Sequence, residues 1–272
     1  MTEELPSETA AAMAGFVLCV VGLGLVPLAV ALARHLYPKR EVFFARWGFS
    51  HLALIFVLAL GVMLAASSLA AGADFITALS INLGVFALVG AAIVRVAHMR
   101  HPESWGSLGL AASGQFRSAA TGMTVLLFLL PGLFGITLVW PWLVGLLGGT
   151  YEVQTVVLGF LDLEGGGLVW AILVAVLLQP FVEELIFRGF VQPLLSQNLG
   201  EQGGVAMTSA LFAALHGFSA FLPLFALSYA LGAVMLRTRR LAGPWAMHAL
   251  FNGINLALFL SVPQTREMFG TG

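Results

Sequence analysis

Two adjacent glutamates, Glu183 and Glu184, lie in the apolar stretch 169–191, and Arg188 follows in the same stretch. An ionised carboxylate at bilayer depth costs about 2.5 to 3.5 kcal/mol, so such residues are functional by default. Glu184 and Arg188 have the i,i+4 spacing of a helical ion pair, which predicts that Arg188 neutralises Glu184 and that both support the site. Glu183 then remains a free carboxylate and a candidate general base. The alternative is a purely architectural charge cluster.

Two histidines and an asparagine occupy later apolar stretches. Phe212 and His216 share one helix face, and His248 and Asn252 share another. A single histidine on an apolar helix is usually a core residue, and polar side chains in membrane helices often form interhelical hydrogen bonds. We adopt that second interpretation for Asn255. For His248 and Asn252 together we favour a functional role, because the two other helices also present acid and imidazole groups.

Glutamate, two histidines and asparagine on three helices suit two kinds of amide hydrolysis. In the first, Glu183 activates a water oriented by His216, while His248 and Asn252 stabilise the developing oxyanion. In the second, Glu183, His216 and His248 bind a divalent metal such as zinc, with a water in an open position. The residues by themselves leave both mechanisms open.

Signatures of other protease classes are absent from the sequence. It contains neither HExxH nor GxSxG, which disfavours a zincin and a serine hydrolase of the nucleophile-elbow type. The single cysteine, Cys19, lies in an apolar stretch without a nearby base and has no partner for a disulfide within the chain.

The composition predicts an all-α, polytopic membrane protein that forms a single membrane domain over residues 1–272. Hydrophobic residues make up 60% of the chain and charged residues 9%, against about 25% charged in soluble domains. The long apolar runs exclude an outer-membrane barrel, whose strands alternate in polarity. A formal net charge of −1 without a basic tract gives no indication of nucleic acid as a partner. About eight spans are expected, at 11–33, 49–71, 75–97, 119–143, 167–190, 204–219, 221–236 and 243–262.

The loops between these spans predict an orientation. Stretch 98–118 reads as a surface loop and 142–166 as an interfacial or re-entrant loop. The loops after the first, third and seventh spans are basic, and the opposite loops are acidic, which places both termini outside and the site near the cytoplasmic side. The basic residues are Arg34, Lys39, Arg40, Arg46, Arg95, Arg100, Arg117, Arg237, Arg239 and Arg240.

Three motifs in order, EELIFR at 183–188, FAALH at 212–216 and HALFN at 248–252, resemble the CPBP family of intramembrane endopeptidases. This family comprises CAAX proteases and bacteriocin-processing enzymes and is also called Abi or Rce1-like. The resemblance covers about residues 165 to 260, which predicts a catalytic core over 165–262 and leaves 1–164 as helices and interfacial loops without a recognised motif. It implies the following roles: Glu183 and His216 activate water, His248 and Asn252 form the oxyanion site, and Glu184, Arg188 and Phe212 support them.

We therefore expect a multi-pass peptidase in a bacterial or archaeal plasma membrane, acting on a membrane-associated protein or peptide. The lipid bilayer is its other expected partner, and the sequence specifies no oligomeric state. No cofactor is favoured, with the zinc site above as the alternative. The competing functions are a non-catalytic membrane scaffold or bacteriocin-immunity protein of the same fold, and a proton-coupled transporter.

Overall fold

The computed structural model describes residues 7–38, 45–100, 105–151 and 158–261, and these residues form helices and connecting turns without a strand. The protein is therefore an all-α polytopic membrane protein, as its composition predicts. The helices are α1 (Ser7–Leu36), α2 (Phe49–Ala70), α3 (Phe75–Arg100), α4 (Gln115–Leu146), α5 (Gly165–Leu173), α6 (Gln179–Glu184), α7 (Gln192–Leu215), α8 (Phe221–Thr238) and α9 (Ala242–Ser261).

A continuous helical run connects α5, α6 and α7. Two π-helical turns, Val174–Leu178 and Leu185–Val191, lie on either side of α6. Such turns widen the helix locally and are frequent at functional sites. The glutamate pair closes α6, so it lies between the two π turns.

The run folds back on itself at Gly200, whose φ of 76° and ψ of 164° are not helical. A Cβ added to Gly204 would lie 2.5 Å from the Cα of Ser196, although residues eight apart in a straight helix are separated by about 12 Å. The rings of Phe187 and Phe212 also meet across this hairpin, with centroids 5.1 Å apart. The fold-back explains why the sequence shows two apolar stretches within 165–215.

Six helical segments of the described residues are long and apolar enough to cross a membrane, and 165–215 is one of them. Eight spans were predicted. Segment 165–215 folds back and so contains two of them, and α9 corresponds to the last one. Helix α9 is not one of the six, and its otherwise apolar sequence carries His248, Asn252 and Asn255. The predicted segment 204–219 is helical only to Leu215, and a short 3₁₀ turn, Phe218–Ala220, precedes α8.

Both predicted loops are shorter than expected. Helix α3 extends to Arg100 and α4 begins at Gln115, so both ends of stretch 98–118 are helical. Helix α4 ends at Leu146, inside the predicted loop 142–166, whose residues 152–157 lie outside the described part of the chain. The first loop is also not purely superficial, because Leu108 is fully buried in the core around α3 and the second π turn.

Helix α1 packs along α4 through glycines. A Cβ on Gly22 would lie 2.3 Å from the Cα of Gly132, and a Cβ on Gly135 would lie 2.6 Å from the nitrogen of Cys19. Small residues that allow close backbone approach are typical of helix pairs in membranes. Helix α4 in turn packs against α8 and α9, so the N-terminal helices connect directly to the segment that carries the three motifs.

Candidate active site

The leading acid, Glu183, is held at the end of α6 by a neighbouring side chain. It is buried, and its Oε1 accepts a hydrogen bond of 3.1 Å from Nε2 of Gln179, one turn earlier. Its other oxygen, Oε2, faces the ring of His248, with 3.9 Å between Oε2 and Nε2. Glu183 therefore has one oxygen fixed and one directed towards an imidazole.

The second acid, Glu184, is fully buried and is bonded by two partners. Its Oε1 accepts hydrogen bonds from Nη1 of Arg188 at 3.0 Å and from Nδ1 of His248 at 2.8 Å. The ion pair predicted from the i,i+4 spacing is therefore present, with both side chains excluded from solvent. A carboxylate oxygen accepts, so Nδ1 of His248 carries the hydrogen, and in the neutral imidazole Nε2 has the lone pair towards Glu183.

Arg188 is anchored on α8 as well as on Glu184. Its Nη2 donates to the backbone oxygen of Ser228 at 3.1 Å and to the Ser228 hydroxyl at 2.7 Å. One turn later, Nε2 of Gln192 donates to the oxygen of Gly232 at 3.0 Å. Because a buried charge is tolerated only when it is paired and hydrogen-bonded, these contacts fix α8 against the helix that carries the glutamates.

Phe212 lies between the two histidines. Its ring centroid is 4.5 Å from that of His216 and 5.8 Å from that of His248, and the guanidinium carbon of Arg188 lies 4.9 Å from it. The fully buried ring is thus the element that joins the second motif to the first and third. Its contact with Arg188 is a cation–π interaction.

His216 ends α7 and is only partly buried. The next residue, Gly217, has a φ of 87° and a ψ of 166°, a conformation that is open essentially only to glycine and that breaks the helix. Nδ1 of His216 lies 2.7 Å from the backbone oxygen of Phe212. Since a carbonyl only accepts, Nδ1 carries the hydrogen, and in the neutral imidazole Nε2 of His216 is left with its lone pair.

Asn252 bonds to the first π turn, one helical turn beyond His248. Its Nδ2 donates to the backbone oxygen of Ala175 at 3.0 Å. A π turn pairs each carbonyl with the N–H five residues later, which for Ala175 is Pro180, a residue without an N–H. Trp245 makes a related contact, with Nε1 3.0 Å from the oxygen of Leu177. Together, Asn252 and Trp245 fasten α9 to this π turn.

The structure brings together Glu183, Glu184, Arg188, Phe212, His216 and His248, and it places Asn252 beside them on α9. Asn255 differs from its prediction: its Nδ2 donates to Phe251 of the same helix, so it forms no interhelical bond there. Among the described residues, no group of three or more His, Cys, Asp or Glu side chains is arranged to hold a metal ion. The zinc site considered from Glu183, His216 and His248 is therefore not supported by their arrangement.

Three residues of the site were missed by the sequence analysis. Gln179 precedes Glu183 by four residues, so its polar side chain in an apolar stretch was a usable signal. Trp245 precedes His248 by three residues on the same face. Ser228 lies on a different helix from its partner Arg188, and no local spacing connects the two.

Comparison with known proteins gives a family match over the part of the chain that carries this site. Residues 165–254 match the profile described as Rce1-like, type II CAAX prenyl endopeptidase Rce1-like. Comparisons with curated proteins and with solved structures gave no match. The match covers the fold-back, α8 and the part of α9 that carries its polar residues, and it contains all three motifs. Residues 165–254 of this membrane protein are thus similar to the Rce1-like family of type II CAAX prenyl endopeptidases.

Proposed function

We propose that the protein is an intramembrane endopeptidase that hydrolyses a peptide bond of a membrane-associated protein or peptide. The observation that carries the proposal is the pair formed by Oε2 of Glu183 and Nε2 of His248, 3.9 Å apart in a buried site. With the His248 imidazole neutral and its hydrogen on Nδ1, both atoms are acceptors. A water that donates one hydrogen to each would satisfy both and would be positioned as a nucleophile.

In the proposed reaction, Glu183 and His248 share the proton that leaves this water. The remaining hydroxide bonds to the substrate carbonyl carbon, after which its one hydrogen can be accepted by the lone pair of His216 Nε2. When the proton resides on Nε2 of His248, that N–H donates to the oxyanion, as does the second N–H of the Asn252 amide. When the C–N bond breaks, the leaving amine takes the proton.

The supporting residues have a different part in this scheme. Glu184 and Arg188 keep His248 oriented and never need to exchange a proton with the substrate. No step requires a metal ion or another cofactor. With the orientation predicted from the basic loops, the site lies towards the cytoplasmic side of the membrane, and we propose a plasma membrane of a bacterium or archaeon as its location.

The proposal is tested with the full chain in liposomes and a prenylated peptide that ends in a CaaX-type tetrapeptide. Release of the C-terminal tripeptide is followed by mass spectrometry for the wild type, Glu183→Gln and Asn255→Ala. Removing a general base reduces turnover by about 10² to 10⁴-fold, so Glu183→Gln should abolish detectable release. Asn255→Ala should retain it, because Asn255 bonds within its own helix.

A second arm covers substrates that are not prenylated. Membrane-protein termini are compared between cells expressing the wild type and cells expressing Glu183→Gln. A product in either arm that depends on Glu183 supports the proposal. No such product in both arms contradicts it and favours a scaffold or immunity protein. Proton uptake into the same liposomes without any peptide product would favour a transporter.

A further inference from the structure

A stripe of polar side chains runs inside the protein from the glutamate–histidine site to the exposed turn at Gly200. The members of this polar stripe follow one another at intervals of four residues, and they are Glu184, Arg188, Gln192 and Ser196. The two middle members both bond to α8, at Ser228 and Gly232, so they lie on the same face. The first three members are buried, and Ser196 is half-buried beside the exposed residues 197–200. Twelve helical residues rise about 18 Å, so the stripe extends well into the membrane-embedded part of the protein.

Each member of the polar stripe has one buried atom without a hydrogen-bond partner among the residues that the structure describes. These atoms are Oε2 of Glu184, Nε of Arg188, Oε1 of Gln192 and Oγ of Ser196. The amide of Gln192 is fixed in this orientation, because its nitrogen donates to the oxygen of Gly232. Buried polar atoms are nearly always hydrogen-bonded to protein or to ordered water. Four such atoms along one stripe therefore call for a partner other than the described side chains.

A threonine of the second limb of the hairpin faces the polar stripe. Two pairs of facing residues define the register of the hairpin: Ser196 with Gly204, and Arg188 with Phe212, whose ring centroid lies 4.9 Å from the guanidinium carbon. Thr208 lies midway between the second-limb members of these pairs, four residues from each. It therefore lies opposite the glutamine of the stripe.

The hydroxyl of Thr208 is in the same situation as the atoms of the stripe. Thr208 is 1% exposed, and its oxygen has no hydrogen-bond partner in the described part of the chain. Other hydroxyls in these helices bond to the carbonyl four residues earlier, as in Thr121, Thr124 and the neighbouring Ser209. Because Thr208 does not use this local acceptor, its hydroxyl is left for a partner between the two limbs.

Water is the ligand that suits these atoms. A buried water makes about three hydrogen bonds and both donates and accepts, so it serves the oxygens of Glu184 and Gln192 as well as the N–H of Arg188. Gly232 leaves the space beside Oε1 of Gln192 without an α8 side chain, since a Cβ there would lie 2.9 Å from this oxygen. The charges of Glu184 and Arg188 cancel, so the stripe does not favour an ion.

We propose that the polar stripe and Thr208 bind a chain of internal waters, which supplies the site with the water that hydrolysis consumes. The inner end of the stripe is Glu184, which bonds to one ring nitrogen of His248, while the other ring nitrogen faces Glu183. The outer end is the exposed turn at Gly200. Polar residues inside membrane helices often mark such pathways. The supply of water rests on the proposed peptidase activity, whereas the binding of water does not.

The first test is hydroxyl-radical labelling of the full chain in nanodiscs by pulsed X-rays, read by peptide mass spectrometry. Radicals from bulk water do not reach a fully buried ring, so such a ring is labelled only where water lies beside it. Phe212 and Phe190 are both 0% exposed. Phe212 contacts Arg188 of the stripe, whereas Phe190 lies in an apolar cluster and stacks on Trp47. We expect labelling of Phe212 well above that of Phe190, and equal labelling would overturn the proposal.

The second test removes polar groups that line the chain of waters. Thr208→Val keeps the volume of the side chain and should reduce labelling of Phe212 about 2- to 10-fold, the range that loss of one hydrogen bond gives. Thr121→Val is the matched control and should leave it unchanged, because Thr121 is also 1% exposed but bonds to the oxygen of Arg117. Gln192→Met replaces Thr208→Val if that variant does not fold. Unchanged labelling of Phe212 in both variants would overturn the proposal.

The third measurement links the waters to catalysis in the liposome assay described above. In Thr208→Val, kcat should fall by the same factor as the labelling while KM is unchanged, because Thr208 is buried away from the substrate. Reduced labelling with an unchanged kcat would overturn the supply of water by this chain. If the wild type gives no peptide product, the peptidase proposal fails, and the comparison of Phe212 with Phe190 alone decides whether the stripe binds water.

Discussion

Nδ1 of His248 lies 2.8 Å from Oε1 of Glu184, and this contact gives the two adjacent glutamates different positions relative to the imidazole. Glu184 orients the imidazole, while Glu183 faces the opposite ring nitrogen. A carboxylate that fixes the tautomer of a histidine is a common arrangement in hydrolytic sites. The two acids are neighbours in the sequence, and their different surroundings suit them to different roles.

The first prediction concerns stability. Glu184→Gln should lower the free energy of unfolding by about 3 to 5 kcal/mol, because it leaves the buried charge of Arg188 without its carboxylate. Glu183→Gln should lower it far less, since a glutamine amide can still accept from Gln179. Both variants are compared by thermal unfolding in one detergent. Equal destabilisation by the two variants would show that the ion pair of Glu184 with Arg188 contributes no more to stability than the hydrogen bond of Glu183 with Gln179.

Arg188→Lys should behave as a strongly destabilising change although the charge is kept. The guanidinium bonds simultaneously to Glu184, the oxygen of Ser228 and its hydroxyl, and a lysine ammonium lacks the planar fork that reaches all three. The yield of folded protein and its unfolding temperature measure the effect. Arg95→Lys, at an exposed position, is the control and should change neither. A folded, fully active Arg188→Lys would contradict this account.

Asn252→Ala should lower both stability and peptide hydrolysis, because the oxygen of Ala175 would lose its donor. An unsatisfied buried carbonyl costs about 1 to 3 kcal/mol. Pro180→Ala restores an N–H at position 180, so the double variant should regain stability relative to Asn252→Ala. Hydrolysis should stay low in the double variant if Asn252 also donates to the oxyanion. Full recovery of activity would assign Asn252 to anchoring alone.

Phe212→Leu should reduce hydrolysis while the protein remains folded. The leucine fills part of the volume but removes the ring that contacts His216 and His248. The loss of packing is estimated at about 1 to 3 kcal/mol, and the histidines lose their common support. Turnover and unfolding temperature are measured together, with Phe225→Leu as the control, a partly buried aromatic of α8. Unchanged turnover in Phe212→Leu would show that the ring does not position the imidazoles.

The turn before α3, which contains Asp74, should lose stability at acidic pH. Hydrogen bonds from the backbone N–H and the hydroxyl of Thr77, at 3.0 and 2.7 Å, hold the pKa of Asp74 below its usual value. A depressed folded-state pKa stabilises the turn above about pH 4 and loses that effect as the pH falls through the folded value. Hydrogen exchange at Thr77 should therefore accelerate with acidification beyond its intrinsic pH dependence. In Asp74→Asn, which still caps the helix, this extra dependence should disappear.

Local spacing predicted the parts of the site that lie within one helix. The Glu184–Arg188 ion pair follows from four residues of separation, and Phe212 and His216 share a face for the same reason. The fold class followed from composition, because a chain so apolar buries its backbone polar groups in lipid only as helices. The helix boundaries were less well predicted, since α4 continues through residues that resemble a loop.

The contacts between helices were not predictable from the sequence. No spacing indicates that Ser228 accepts Arg188, that Trp245 bonds to Leu177, or that Asn252 compensates for the N–H missing at Pro180. His248 was expected at the oxyanion, and no spacing indicated its bond to Glu184. These pairings depend on π turns and on a fold-back at Gly200, which shift the helix register away from a regular period.

By itself, the amino-acid sequence determined that this protein is helical, that it lies in the membrane, and which ionisable residues must be neutralised inside it. Those properties follow from composition and from spacing along one helix, where geometry is fixed by the backbone. The tertiary structure alone decided which glutamate faces His248 with a free oxygen and which threonine faces the polar stripe. These relations join residues that are distant in the chain, and they depend on how the helices pack.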